Sequence, residues 1–242
     1  MTPWNRLLEN FARLYLDTFT NGLRVAGRGN IWPGPKIVIM NHADVSTVFA
    51  LPAVFPEPLY FLAQGDVFDV PVVGLLLRRA GHIPLWPGKG AQALAEAAER
   101  LATGGAIALC PEGRQSPAGG YARPQSGAVR LALATGAPIV PVGSYVAPEH
   151  MRTFRGRFRG RDRLGHWQFG GACHVHVGPA WRPPAGAKIT AALVRRLTDE
   201  VFGQVIALVD QARLASLAAP VLRPAERSVV RPVNLVTRRR VR

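Results

Sequence analysis

Lys36–Thr47 reads KIVIMNHADVST. Its first half, Lys36–Met40, is an apolar, β-branched run of the kind that forms a buried strand. The run stops in Asn41-His42, and Asp44 follows two residues after the histidine. In open α/β sheets, ligands bind outside the carboxyl ends of strands. A histidine placed there is a candidate base, although an isolated Asn-His after a strand is more often an ordinary polar strand end.

Two further strand ends carry the same kinds of residue: Gly81-His82-Ile83-Pro84, and Pro111-Glu112-Gly113-Arg114-Gln115-Ser116. Between them the chain alternates. Short apolar runs (Leu59–Gln64, AIALC before Pro111, PIVPVGSY, CHVHVG) read as strands. Gly90–Ala102, Ser126–Thr135 and Ile189–Leu217 have helical spacing, and a helix is expected through Val48–Val54. The alternation predicts one α/β domain, a mixed sheet flanked by helices. Trp4–Phe19 places its apolar residues at helical spacing, with Arg6, Glu9, Arg13 and Asp17 opposite. Because those charges are mixed, packing on the domain is expected ahead of lying on a membrane.

The 242 residues carry 30 Lys+Arg against 15 Asp+Glu, a net charge of +15, which calls for an anionic partner: nucleic acid, phospholipid head groups or an acidic carrier. A hydrophobic content of 48% excludes wholesale disorder. Cys110 and Cys173 are too few for a disulfide framework and suit no zinc site. No run approaches the ~18 apolar residues of a membrane span, and MTPWNRLLENF lacks a secretory apolar core. A cytoplasmic protein, soluble or peripheral, is expected. His174 and His176 share a strand face without a third metal ligand. Met151–Gly165 holds six arginines with Phe154 and Phe158 between them, and Pro220–Arg242 holds seven arginines and three prolines, which reads as a disordered basic tail.

In their order, the blocks IVIMNHADVS, YFLAQGDVFDVPVVGLLLRRAGHIPL and ALCPEGRQSPAGGYARPQSGAVRLALATGAPIVPVG resemble those of glycerolipid acyltransferases of the 1-acylglycerol-3-phosphate (lysophospholipid) type. The resemblance covers about residues 20–210. It implies a mixed, largely parallel sheet of the glycerol-3-phosphate acyltransferase kind. Between the N-terminal helix over 1–20 and the basic tail over 218–242, which spacing and composition give, it implies an acyltransferase domain over 21–217. The reaction implied is transfer of a fatty acyl group from acyl-CoA or acyl-carrier protein to a lysophospholipid hydroxyl. Neither metal nor organic cofactor is needed, because the thioester is already activated.

The family places an Asp five residues past a general-base His. Here that position is Thr47, and Asp44 stands where a Ser is usual. Asp44 is the favoured orienting residue for His42. Two alternatives are a neutral hydrogen bond from Ser46 or Thr47, and a degraded site that leaves a lipid- or nucleic-acid-binding protein. By the same resemblance, Glu112, Gly113, Arg114 and Ser116 build the acceptor's phosphate site. Lys89 is the cation nearest the place where a family Arg is missing, Gln64 stands where a Lys is frequent, and Trp86 makes the pocket more apolar. Arg152, Arg155, Arg157 and Arg159, with Arg238–Arg242, are expected to hold the protein on anionic lipid at the inner face of the membrane, at about 1 kcal/mol per cation. An acidic carrier ranks second as their partner and nucleic acid third.

Overall fold

The computed structural model describes residues 3–116, 120–158, 161–184, 186 and 188–218. The expected tail beyond residue 218 lies outside them. At the centre is β2 (Lys36–Met40), whose five residues are all buried. Alternate side chains of a strand point to opposite faces, so Ile37 and Ile39 enter one hydrophobic layer and Val38 and Met40 the other.

Around β2 lie β1 (Leu23–Ala26), β3 (Leu59–Gln64), β4 (Ile83–Leu85), β5 (Ala106–Leu109), β6 (Ile139–Tyr145) and β9 (Cys173–Val177), in the order β1-β9-β6-β2-β5-β3-β4. The five strands from β6 to β4 run parallel. β9 runs antiparallel to β6, and β1 runs parallel to β9. The sheet is therefore mixed and mostly parallel, as the alternation of elements predicts.

On the Ile37 face pack α4 (Gly90–Ala102), α5 (Gly127–Thr135) and α6 (Ala191–Ala218). On the other face pack α2 (Ala50–Val54) and Phe55. Each large aliphatic side chain buried in these layers contributes about 1.5–3 kcal/mol. α6 is long and apolar enough to cross a membrane by length and composition alone. Its stripe from Val194 through Val201 and Val205 to Ala212 is instead buried against the sheet, which makes it a core helix. Contact is closest at Gly143 of β6, where a Cβ would lie 2.3 Å from the Leu208 carbonyl carbon.

α1 (Pro3–Phe19) buries Asn5, Ala12, Tyr15 and Leu16 against the domain. Leu7, Phe11 and Leu14 remain exposed on it. Packing thus accounts for one stripe of its apolar residues and leaves another facing outward. α3 (Val73–Arg79) lies beside it, and Asn5 Nδ2 donates to the Ala80 carbonyl at 3.0 Å.

The arginine-rich segment is not an irregular surface loop. β7 (Met151–Phe158) and β8 (Arg161–Gln168) form an antiparallel hairpin, paired one to one from Met151↔Gln168 to Phe158↔Arg161. Arg159 lies outside the described residues, as do Arg238–Arg242.

Candidate active site

The carboxyl ends of β2 and β5 are adjacent because these strands pair in parallel. The turns that follow them therefore meet. Asn41, the first residue after β2, is buried, and its side chain serves the neighbouring strand. Its Oδ1 accepts from the Ser144 main-chain N–H at 2.8 Å and from Ser144 Oγ at 3.0 Å, and its Nδ2 donates to the Ser144 carbonyl at 3.0 Å. That anchor fixes where His42 begins.

His42 is held through its main chain by the Pro-Glu-Gly turn. Its N–H donates to Glu112 Oε1 at 2.8 Å, and its carbonyl accepts from the Ser116 N–H at 2.9 Å. Glu112 Oε2 accepts from the Ala122 N–H at 3.2 Å. Glu112 is buried, and burial raises its pKa, opposed by those two hydrogen bonds. A buried carboxylate committed to two amides is a positioning group, and its charge would repel a phosphate.

The ring of His42 lies with Nδ1 3.1 Å from the main-chain carbonyl of Asp44. A carbonyl only accepts, so Nδ1 carries the hydrogen and Nε2 keeps its lone pair. Burial lowers the His42 pKa, partly offset by that hydrogen bond and by the negative charge of Asp44. The imidazole is therefore neutral near pH 7, as a general base must be.

The expectation that the Asp44 carboxylate orients the ring is corrected. That carboxylate is fully buried and turned inward. It accepts from the Ser46 hydroxyl, from the Thr47 hydroxyl, and from the Thr47 N–H at 2.8 Å. Residues 46–49 form a 3-10 turn, and a carboxylate just ahead of such a turn satisfies donors that the helix leaves without partners. The hydroxyls of Ser46 and Thr47 are committed to the same carboxylate, so neither holds the imidazole. Asp44 still orients His42, through its backbone.

The rest of the Pro-Glu-Gly turn has a mixed outcome. Gly113 adopts φ 66°, a left-handed conformation that suits glycine, and its carbonyl accepts from Gln64 Nε2. Arg114 is exposed on the turn, with no hydrogen bond or ion pair among the described residues. Ser116 is buried and acts through its N–H. Lys89 is exposed just ahead of α4, and no contact ties it to His42 or Glu112 among the described residues. The Trp86 ring covers Gly65, where a Cβ would lie 2.3 Å from it, so Trp86 walls the end of β3.

Gln115 was silent in the sequence. Its side chain bonds the His166 backbone of β8 in both directions, accepting at 3.2 Å and donating at 3.4 Å. The Val45 N–H donates to the same His166 carbonyl at 2.8 Å, and the Gln168 N–H donates to Ser46 Oγ at 2.9 Å. Main-chain partners leave no trace in residue type, so nothing in the string could have announced this seam.

His82 is structural. Its buried Nδ1 accepts from the Phe61 N–H at 3.0 Å, and burial brings its pKa down to about 4. Burial pushes the Cys110 and Cys173 thiols up, which leaves both inert. His174 and His176 lie beside β1 on β9, His174 buried, and no cluster of three His, Cys, Asp or Glu is arranged to hold a metal among the described residues.

A mixed, mostly parallel sheet flanked by helices is also the fold of a 1-acyl-sn-glycerophosphate acyltransferase from Thermotoga maritima. That structure matches 86% of this chain and 79% of its own, at a TM-score of 0.64 and 22% identity. The acyltransferase family model matches residues 22–145, about half of the chain, and the protein belongs to that family. A 1-acyl-sn-glycerol-3-phosphate acyltransferase from Pseudomonas aeruginosa is 25% identical over 182 residues, 72% of this chain and 66% of that protein. A chloroplastic 1-acyl-sn-glycerol-3-phosphate acyltransferase from Brassica napus is 26% identical over 111 residues. The match spans about a third of the length of the plant relatives.

Proposed function

We propose that this protein transfers a fatty acyl group from a thioester, acyl-CoA or acyl-carrier protein, to the hydroxyl of a lysophospholipid such as 1-acylglycerol-3-phosphate, the acceptor that its relatives' names give for them. The observation that carries the reading is the state of His42. Nδ1 is committed to the Asp44 carbonyl, so Nε2 is left as a base at the rim of the sheet.

Nε2 takes the proton of the acceptor hydroxyl as its oxygen attacks the thioester carbonyl. The tetrahedral adduct collapses, the C–S bond breaks, and the departing thiolate takes the proton back from the imidazolium. Atoms balance without metal or cofactor. Glu112 and Ser116 hold the His42 backbone, the Asp44 carbonyl steadies the imidazolium, and the exposed Arg114 pairs with the acceptor's phosphate. Arg152, Arg155 and Arg157 place the enzyme on anionic lipid at the cytoplasmic face, where phospholipid synthesis would use it.

The experiment is acyl transfer from labelled acyl-CoA, and from acyl-carrier protein, to a panel of lysophospholipids. Turnover that disappears in His42→Ala supports the reading. Absence of turnover on every acceptor and with either donor, with lipid or oligonucleotide binding retained, would mean a binding protein built on the same fold.

A further inference from the structure

His174 and His176, which share one face of β9, line a hollow at the edge of the sheet. Arg24 of the edge strand β1 stands in register with His174, and Ala26 with His176. Side chains in register on neighbouring strands point to the same face, so Arg24 joins the two histidines. On that face α6 packs, and its Ala215 closes the other side of the hollow. Ala26 and Ala215 are too short to fill the gap between strand and helix. They leave a hollow of about 270 Å³, open where Arg24 and Ala26 are exposed. None of its lining residues belongs to the turns that follow β2 and β5, and β9 lies two strands from β2.

His174 is 6% exposed, yet neither its ring nor that of His176 makes a hydrogen bond among the described residues. A buried polar group without a protein partner calls for water, an ion or a ligand. Burial lowers the His174 pKa, and the positive charges of Arg24 and His176 lower it further. No carboxylate lines the hollow. β6 sets Tyr145, a phenol without charge, in register with His174. On α6, Asp210 is paired with Arg213 at 3.9 Å, and its charge acts on Tyr121. Like charges gathered without a counter-charge repel one another, and an anion between them removes the repulsion.

The donors select the ligand. A guanidinium presents a planar fork that matches an oxyanion. Each imidazole adds one N–H when neutral and two when charged. A divalent cation is opposed by the Arg24 charge and finds no third ligand among the described residues. The hollow holds several times the volume of a water molecule, about 30 Å³, so a phosphate fits together with its ester substituent. We propose that Arg24, His174 and His176 form a binding site for the phosphate group of a monoester, separate from the candidate active site. This goes beyond the acyltransferase reading, and its readouts need no turnover.

The test is nuclear magnetic resonance of the histidine rings in the full chain, titrated separately with inorganic phosphate, glycerol 3-phosphate and dihexanoyl phosphatidic acid. The His174 and His176 ring signals should shift saturably. The His174 ring should titrate at higher pH in the bound protein, because an adjacent anion favours its charged form. The arm that saturates at the lowest concentration assigns the source: free phosphate, a soluble ester or a lipid head group. Arg24→Gln and His174→Asn should each weaken binding about tenfold, read at the remaining ring of the pair. Arg24→Lys, which keeps the charge and loses the fork, should lose less. Arg114→Gln, at the candidate active site, should leave the His174 response unchanged. Far-UV circular dichroism checks that each variant folds. A His174 ring that responds to none of the three phosphates would overturn the proposal, as would an equal response to acetate. An Arg24→Gln protein that binds as the wild type does would overturn it too, and so would Zn²⁺ captured by the two rings with no response to phosphate.

Discussion

The main-chain N–H of His42 lies 2.8 Å from Oε1 of Glu112, across 70 residues of sequence. The carboxylate thus fixes where the imidazole starts and leaves the ring's own chemistry to Nδ1 and Nε2. In Glu112→Gln the amide NH₂ meets a backbone N–H, so one of the two donors, His42 or Ala122, loses its partner. Steady-state kinetics should show kcat falling about tenfold to a hundredfold, the usual effect of a small misplacement, with the acceptor KM little changed. A rise in KM at constant kcat would instead mark Glu112 as an acceptor-binding group.

Asp44→Asn separates two ways of orienting a histidine. Were the carboxylate on the ring, its amide would cost ~10⁴-fold in kcat, as in a serine-protease triad. Because the ring bonds the backbone carbonyl, the expected loss is about tenfold to a hundredfold. A stability loss of about 1–3 kcal/mol should accompany it, since the Ser46 and Thr47 donors lose part of their acceptor. Rate measurements together with urea unfolding test both numbers.

The residues that carry the fold were readable in the string, and those that carry the site were readable by type but not by role. KIVIM is buried along its whole length because a central strand has two covered faces, and that is what a continuous β-branched run means. The Ala-rich periodicity of α4 and the apolar stripe of α6 likewise follow from packing on a sheet. The β7–β8 hairpin did not show, because its arginines broke the apolar alternation that marks a strand. Asp44 misled for a different reason. Spacing cannot tell a carboxylate from the carbonyl of the same residue, and only the 3-10 turn at Ser46–Phe49 drew the side chain inward.

His82 should make stability depend on pH. Its folded pKa of about 4 lies below the ordinary 6.5, so the unfolded chain binds the extra proton first. The neutral ring's contribution is therefore fully present above pH 6.5 and is lost as pH falls toward 4. At ~1.4 kcal/mol per pH unit, the loss approaches about 3 kcal/mol. Urea unfolding between pH 7 and 4 should show that extra slope in the wild type. His82→Asn, which keeps an acceptor for Phe61, should lack it.

Gly143→Ala tests the sheet–helix contact. The new Cβ would meet the α6 backbone at Leu208 and Val209 at 2.3 Å, so strand or helix must shift. A loss of about 1–3 kcal/mol is expected, which lowers Tm by roughly 2–12 °C in a chain of this size. Calorimetry reads it directly. An unchanged Tm would mean that α6 packs less closely than described.

The most direct test of His42 as the base is the pH dependence of kcat/KM for acyl transfer to a lysophospholipid. Burial lowers the His42 pKa, so the rate should climb through a single ionisation below pH 6.5 and stay level above it, and His42→Ala should show neither the climb nor the plateau rate. An inflexion above pH 6.5, or a His42→Ala protein that keeps the wild-type profile, would contradict the account.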